Sequence, residues 1–329
     1  MSTPHATPLR WGIIGCGDVT EVKSGPAYQQ TEGFVLRAVM RRDAEKVRDY
    51  AERHGVDHYY TDADQLINNP TIDAVYIATP PDAHLDYALR VAAAGKICCI
   101  EKPLAPTYAE SLAISQAFAA RGIPLFTAYY RRSLPRFQRV REWLATGSIG
   151  TVRHVSWHFG RPASDLDRSG KYNWRTDPVV APGGYFDDLA SHGLDLFAWL
   201  LGDFRTAHGV SLNQQGLYAA KDGISACWLH EAGTTGAGSW NFGTHRRTDR
   251  VELFGEKGTI EFSVFEDAPV VLDNREGRSE EYIAHPQHVQ LPHVRNIARQ
   301  LFGTDYRHPS TGHTAVHTAW VMQQVLGVA

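Results

Sequence analysis

The sequence lacks any uninterrupted apolar run of about 18 residues, the length that a membrane-spanning helix requires. It also lacks a strong charge of either sign, because 33 Lys and Arg residues face 36 Asp and Glu residues for a formal charge of −3. Neither nucleic acid nor a membrane is therefore expected as a partner. Residues 1–8 are small, polar and proline-containing, which predicts a flexible tail instead of a signal peptide.

Cysteine is also scarce. The four residues Cys16, Cys98, Cys99 and Cys227 form no C-x-x-C pair and no zinc-like spacing. We interpret them as reduced, mostly buried thiols, which predicts a cytoplasmic protein. The remaining composition, 43% hydrophobic and 21% charged in 329 residues, is that of an ordinary globular protein. This length exceeds what one core usually supports, so two domains are expected.

Apolar runs and helical periodicity alternate through the first part of the chain. This alternation is typical of a doubly wound parallel sheet, whose ligands lie beyond the carboxyl ends of the strands. We therefore predict an α/β dinucleotide-binding Rossmann domain over residues 9–128. The expected strands span 11–14, 34–40, 73–78, 97–100 and 125–128, and the expected helices 21–31, 43–54, 63–67, 84–94 and 108–121.

The turn after the first strand carries Gly15 and Gly17. Gly15 permits a tight turn, and Gly17 leaves no Cβ in the path of a diphosphate. The N–H groups of Asp18 and Val19 would then face the anion. The third small position of the dinucleotide-binding pattern holds Thr20 instead of Gly or Ala, so a plain strand–turn–helix is the alternative.

The end of the second strand bears on the choice between the two nicotinamide cofactors. A carboxylate there binds a ribose 2′-hydroxyl, whereas an arginine accommodates a 2′-phosphate. Arg41 and Arg42 occupy this place, which favours NADP(H). Asp43 keeps NAD(H) as an alternative, although it falls late and is more typical of a helix cap. A solvated charge pair at the start of a helix is the third interpretation.

The pattern changes in the second part of the chain, where β-rich segments dominate. An α+β domain over residues 129–329 is expected, with an open, mostly antiparallel sheet and helices on one face. Because the other face must also be covered, we expect a homodimer or homotetramer formed through this sheet. The predicted strands are 152–159, 206–212, 225–231, 235–240, 250–255, 259–264 and 270–272, and the predicted helices 136–146, 289–302 and 312–326.

Residues 161–195 interrupt the strands and are rich in chemically active side chains. Asp188 and His192 are spaced i and i+4, so they lie on one helix face, with Asp195 near the same stripe. A histidine beside a carboxylate suits acid/base catalysis, and a purely structural hydrogen bond is the alternative. Metal binding that includes Asp187 is disfavoured, because two carboxylates and one histidine on a single turn match zinc poorly.

Four motifs together resemble the Gfo/Idh/MocA family, the glucose–fructose oxidoreductase and inositol dehydrogenase group. They are GIIGCG at 12–17, ATPPDAH at 78–84, EKP at 101–103, and the set Gly183, Gly184, Asp188, His192 and Asp195. The resemblance runs from about residue 9 to the end of the chain. It implies hydride transfer between a nicotinamide and a carbonyl or secondary alcohol of a sugar, a polyol or a related small molecule.

The resemblance also implies roles for individual residues. Lys102 is similar to the family's catalytic lysine, His192 to its acid/base and Asp188 to the partner of that histidine. Residues expected to line the cofactor are Thr79, Pro80, His84, Glu101, Lys102, Trp174 and Arg175, and the substrate is expected to contact Lys102, Tyr130, Tyr172, Arg175 and His192. Tyr130 stands where the family often has Asn, so the substrate is the least transferable part of the comparison.

Two alternatives to sugar chemistry stay open at this point. The aromatic side chains around the expected site also suit an aromatic or tetrapyrrole substrate, as in the dihydrodiol dehydrogenase and biliverdin reductase branches. A protein that binds NADP(H) as a sensor without turnover is the other alternative. The set Lys102, Asp188 and His192 argues against a sensor, because a sensor has no need of acid/base groups.

Overall fold

The structure, a computed structural model, describes residues 7–327. Most of the tail expected at 1–8 lies outside the described residues. The chain forms two compact units. The first contains residues up to 105, 109–134 and 286–316, and the second contains 106–108, 135–285 and 317 onward. The domain boundary at 128 stays a prediction; residues 286–316, predicted within the second domain, group with the first unit.

The first unit is built on a six-stranded parallel sheet with the order β3-β2-β1-β4-β5-β6. This order and the alternating helices confirm the predicted doubly wound fold. The strands are β1 (Leu9–Ile14), β2 (Phe34–Met40), β3 (His58–Tyr60), β4 (Ala74–Ile77), β5 (Ile97–Ile100) and β6 (Leu125–Thr127). The helices up to residue 119 are α1 (Asp18–Val22), α2 (Gly25–Gln29), α3 (Ala44–His54), α4 (Ala63–Ile67), α5 (His84–Ala93) and α6 (Tyr108–Ala119).

The single helix predicted over 21–31 was wrong, because the chain forms α1 and α2 instead. Pro26 lies in the first turn of α2, where its missing N–H is tolerated. A Cβ on Gly25 would stand 2.3 Å from the carbonyl oxygen of Thr20, so the two short helices meet closely here. The short strand β3 was not predicted, because its residues are largely exposed and carry no apolar run.

Helix α10 (Leu291–Phe302) returns to the first unit from far along the chain. Its residues Val294 and Ile297 are fully buried in the same core as Trp11 and Tyr76. The apolar spacing correctly predicts this helix, but it does not tell which sheet the helix covers. Burial of side chains of this size stabilises the unit by about 1.5–3 kcal/mol each.

The second unit contains an eight-stranded sheet with the order β14-β13-β12-β11-β7-β10-β9-β8. All neighbouring pairs are antiparallel except β7 and β10, which confirms the predicted open, mostly antiparallel sheet. The strands are β7 (Val152–Gly160), β8 (Phe204–Leu212), β9 (Gly223–His230), β10 (Thr235–Asn241), β11 (Thr248–Gly255), β12 (Gly258–Phe262), β13 (Val270–Asn274) and β14 (Gly277–Glu281). Only β14, polar and largely exposed, was not predicted.

Helix α9 (Tyr185–Leu201) packs on this sheet and is buried over most of its length. A Cβ on Gly193 would stand 2.2 Å from the Trp157 ring, so glycine allows the close approach of helix and strand. The remaining helices are α7 (Pro135–Ala145), α8 (Asp165–Arg168) and α11 (Gly312–Leu326). Within residues 7–327, none of the helices combines the length and the apolar character needed to cross a membrane.

Candidate active site

The glycine turn follows β1 directly. Gly15 has φ +89°, and a Cβ there would stand 2.7 Å from the Thr79 methyl group, so only glycine fits. Around Gly17 the nearest atoms to a built Cβ are the Gly15 carbonyl oxygen at 3.9 Å and Arg41 Nη1 at 4.0 Å. The Thr20 hydroxyl accepts from Gly17 N–H at 3.0 Å and donates to the Gly17 carbonyl at 2.8 Å. Thr20 therefore closes the turn at the position where the pattern usually has a small residue.

Arg41 and Asp43 have different surroundings after β2. Arg41 Nη1 donates to the Cys16 carbonyl at 3.2 Å, which holds its guanidinium beside the glycine turn. Asp43 is the N-cap of α3, and its Oδ1 accepts from Lys46 N–H at 3.1 Å. Arg42 is exposed. The cap interpretation of Asp43 thus agrees with its contacts, and Arg41 places a positive charge beside the turn.

His84 joins the loops that follow β4 and β5. Its Nε2 lies 2.9 Å from the Thr79 carbonyl oxygen, and its Nδ1 lies 3.1 Å from that of Leu104 and 3.2 Å from that of Pro103. The ring is fully buried, and burial lowers the pKa of His84. The imidazole therefore holds the two loops together from inside the protein.

Glu101 is the buried carboxylate next to Lys102. Its Oε1 accepts from the Tyr76 hydroxyl at 2.5 Å and from Gln290 Nε2 at 2.7 Å, and its Oε2 accepts from Lys102 N–H at 3.2 Å. Gln290 is 1% exposed and caps α10. Gln290 belongs to no sequence motif and lies 189 residues from Glu101 along the chain, so the sequence alone does not predict this contact.

These residues fit a nicotinamide dinucleotide. The missing Cβ of Gly17 leaves room beside the turn. The first N–H groups of α1 lie at this turn and have no carbonyl acceptor within the helix, so they can bind an anion. Arg41 adds a cation at the same turn. Thr79 abuts Gly15, so the turns after β1 and β4 share one edge of the sheet.

In the second unit, Asp188 forms an ion pair with Arg175. Arg175 Nε donates to Asp188 Oδ2 at 2.6 Å, and the guanidinium also lies 4.3 Å from the centre of the Trp174 ring. Asp188 is 9% and His192 5% exposed, one turn apart on α9. Because Asp188 and His192 lie on one helix face, as predicted, a carboxylate, a guanidinium and an imidazole are gathered in this part of the second unit.

Phe265, which no sequence motif predicts, lies beside His192. The Phe265 ring meets the imidazole edge-on with centroids 5.9 Å apart. Asp249 fixes this loop by accepting from Phe265 N–H at 2.6 Å, and it also accepts from the Trp157 indole at 2.9 Å. Strand β11 thus anchors the Phe265 wall beside His192, a long-range arrangement that no local motif predicts.

Asp187 and Asp195 make structural contacts in α9. Asp187 Oδ2 accepts from Gly183 N–H at 2.7 Å, and burial raises its pKa to about 7. Asp195 is fully buried and its Oδ1 accepts from the Thr318 hydroxyl at 3.1 Å. Among residues 7–327, no three His, Cys, Asp or Glu side chains are gathered as metal ligands would be.

Other residues expected at the site differ in exposure. Tyr172 is 76% exposed. Tyr130 opens the short 3₁₀ turn after β6, with the Arg131 guanidinium 5.0 Å from its ring centre. Pro80 is exposed and ends the segment that follows β4. Each of these roles stays a prediction.

A Rossmann sheet with this glycine turn, together with a second, mostly antiparallel sheet, is typical of an NAD(P)-binding oxidoreductase. Residues 9–129 match the oxidoreductase family with an NAD-binding Rossmann fold, GFO_IDH_MocA, and residues 137–261 match the GFO/IDH/MocA C-terminal domain. The chain belongs to the Gfo/Idh/MocA family, as the resemblance implied.

Individual relatives agree with this assignment. The chain is 38% identical over 288 residues to "Oxidoreductase P35" of Formosa agariphila, covering 87% of this chain and 88% of that protein. It is 27% identical to 1,5-anhydro-D-fructose reductase of Ensifer adhaerens, covering 82% of each. A solved structure of levoglucosan dehydrogenase with NADH and levoglucosan has a TM-score of 0.82 at 19% identity and covers 97% of this chain and 96% of that one. This last likeness shows a shared fold.

Proposed function

We propose that the protein transfers a hydride between the nicotinamide of NADP(H) and the carbonyl or secondary alcohol carbon of a sugar or polyol. The observation that carries this proposal is the ordered turn after β5, where Lys102 follows a buried carboxylate with three protein donors. The relative named 1,5-anhydro-D-fructose reductase and the fold neighbour bound to levoglucosan support a sugar-like substrate.

Lys102 and His192 would handle the substrate oxygen and its proton. When bound, the nicotinamide supplies or accepts the hydride. The Lys102 ammonium stabilises the negative charge that develops on the substrate oxygen. His192 donates a proton to that oxygen in reduction and removes it in oxidation, a contribution typically of about 10²–10⁴-fold. Asp188 orients the imidazole, and Arg175 holds Asp188 in place.

The test is to replace each group singly. Lys102→Met and His192→Ala should retain the fold and NADPH binding and lose turnover by about 10²–10⁴-fold. NADPH consumption with a panel of keto-sugars, inositols and dihydrodiols is the readout. Near-normal turnover in both variants would refute the assigned roles. Turnover of dihydrodiols alone would favour an aromatic substrate, and a wild-type protein that binds NADPH without turnover on any substrate would favour the sensor.

The preference for NADP(H) is supported by the position of Arg41 beside the glycine turn. A hydrogen bond to a charged group is worth about 1.5–3 kcal/mol, so Arg41→Asp/Arg42→Ala should lower the NADPH over NADH preference by about 10- to 100-fold. Asp43→Ser is the matched control, because serine keeps the helix cap. An unchanged NADPH over NADH preference in the arginine variant would show that Arg41 and Arg42 do not select the cofactor.

We also propose a homodimer or homotetramer formed through the eight-stranded sheet. Helix α9 covers one face, and small side chains in register on the opposite face, Ser156, Ala237 and Cys227, form a flat strip. Two copies of such a strip can pack closely. Cys227→Arg should yield a monomer in analytical ultracentrifugation, whereas Glu276→Arg, at an exposed turn, should not. A wild-type protein that sediments as a monomer would refute this proposal.

A further inference from the structure

A chain of hydrogen bonds in the second unit leads from a buried carboxylate to the Arg175–Asp188 pair. Asp167 has a fully buried side chain, and its Oδ1 accepts from the Tyr185 hydroxyl at 2.5 Å. The same hydroxyl accepts from Asn173 Nδ2 at 2.8 Å. Tyr185, the first residue of α9, therefore connects the start of that helix to the segment that precedes it.

Asn173 transmits this connection to Arg175. Its Oδ1 accepts from Arg175 N–H at 3.2 Å, and its main-chain carbonyl accepts from Thr176 N–H at 2.9 Å. These bonds form the short 3₁₀ turn Trp174–Thr176. The orientation of Asn173 thereby fixes the backbone position of Arg175. From this position the Arg175 side chain extends to Asp188, to which its Nε donates at 2.6 Å.

The Tyr185 hydroxyl is held in a single orientation. Its proton goes to Asp167, whose Oδ2 is itself fixed by Ser164 N–H at 2.7 Å and by Arg161 Nη2 at 3.3 Å. The Arg161 guanidinium also lies 4.0 Å from the centre of the Tyr185 ring. Because the Tyr185 hydroxyl donates its proton to Asp167, it can only accept a hydrogen bond from Asn173. The amide of Asn173 must therefore present its nitrogen to Tyr185 and its oxygen to Arg175.

We propose that Tyr185 is a positioning residue that sets the side chain of Asn173 and, through the turn Trp174–Thr176, the Arg175–Asp188 ion pair beside His192. This inference rests on the proposed function for its catalytic consequence. Tyr185 touches no reacting group; it acts through Arg175. Loss of its hydroxyl loosens the turn and reduces the fraction of molecules in which Arg175 holds Asp188.

Tyr218 provides a matched control in the same cluster. Its ring centre lies 6.2 Å from that of Tyr185, and its hydroxyl is buried but makes no hydrogen bond to any residue that the structure describes. Tyr185→Phe and Tyr218→Phe thus remove the same atom from neighbouring rings. Only the first removes two hydrogen bonds of the chain that leads to Arg175.

The first measurement is amide hydrogen exchange of peptides that cover 172–177, which needs no substrate. Tyr185→Phe should exchange about tenfold faster there, and Tyr218→Phe should match the wild type. Asn173→Ala removes the next link and should accelerate exchange in the same segment. Unchanged exchange in Tyr185→Phe, or equal acceleration in Tyr218→Phe, would overturn the proposal.

The second measurement is a double-mutant cycle in kcat/KM with Arg175→Ala. Tyr185→Phe should lower kcat/KM for the substrate about tenfold in the wild-type background and by less than about twofold in Arg175→Ala. The same factor in both backgrounds would show that Tyr185 does not act through Arg175. If the wild-type protein turns over no substrate, the proposed function fails, and the exchange measurement alone still decides whether Tyr185 orders the turn.

Discussion

Lowering the pH from 7 to 5 should destabilise the first unit through His308. The ring is 4% exposed and packs against Phe126 with centroids 5.1 Å apart. Its Nδ1 accepts from Ser310 N–H at 3.0 Å, and its Nε2 lies 3.2 Å from the His293 carbonyl oxygen. Burial lowers the pKa of His308 from 6.5 to about 4, so the folded protein keeps this ring neutral at pH 7.

The magnitude follows from the difference between the two states. In the unfolded chain His308 takes up a proton near pH 6.5, whereas the folded protein resists protonation until about pH 4. Its contribution to stability is therefore complete above pH 6.5 and is lost as the pH falls toward 4. At 1.36 kcal/mol per pKa unit the whole loss is about 3 kcal/mol, of which about 2 kcal/mol is lost by pH 5.

The assay is urea unfolding of the wild type and of His308→Gln at pH 7 and pH 5. The free energy of unfolding of the wild type should fall about 2 kcal/mol further than that of the variant, because most other titrating groups contribute equally to both. His58→Gln, at an exposed histidine of the same unit, tests for a general effect of losing an imidazole. Equal pH dependence in the wild type and His308→Gln would refute the reasoning.

Three further predictions concern buried groups near the candidate site. Asp187→Asn should raise the free energy of unfolding at pH 8 by up to about 4 kcal/mol and change it little at pH 4. The reason is that the pKa of Asp187 is raised from 3.8 to about 7 in the folded protein, so the wild type loses stability as the pH rises from 3.8 through 7. Urea unfolding at both pH values checks this. Gln290→Ala removes one donor from Glu101 and should lower kcat about tenfold, as measured by steady-state kinetics; unchanged kcat would contradict a positioning role. Gly193→Ala should cost about 1–3 kcal/mol in thermal or urea unfolding, because its Cβ would stand 2.2 Å from the Trp157 ring; a variant as stable as the wild type would contradict such tight packing.

Local patterns predicted most of the fold, because most strands and helices of both units are short segments with their own apolar period. The failures have local causes too. Helices α1 and α2 replace one predicted helix where Gly25 and Pro26 interrupt it, and the exposed strands β3 and β14 carry no apolar signal. The position of α10 is a different kind of failure, because an amphipathic helix does not specify which of two sheets it covers.

The contacts of the candidate site also fall into local ones, which the sequence predicts, and long-range ones, which it does not. Residues that share one turn or one helix face, such as Gly15 with Gly17 and Asp188 with His192, follow from spacing alone. The partners that hold them come from distant segments. Arg175 binds Asp188 from the loop before α9, and Asp249 holds the Phe265 loop from β11. No period or motif predicts such pairs, since they depend on how loops fold back over the sheet.

The return of α10 connects the turns that follow β1 and β5 in the first unit. His288 Nδ1 lies 2.6 Å from the Val22 carbonyl oxygen, and Gln290 N–H donates to the Lys23 carbonyl at 3.3 Å, so the segment before α10 binds the end of α1. The side chain of Gln290 binds Glu101, next to Lys102. One short segment thus contacts both the helix after the glycine turn and the lysine turn. Since α10 is anchored in the core, loss of the buried hydrogen bond between Gln290 and Glu101 would leave a buried polar group unpaired, which costs about 1–3 kcal/mol. Gln290 therefore links the two turns, although it belongs to neither.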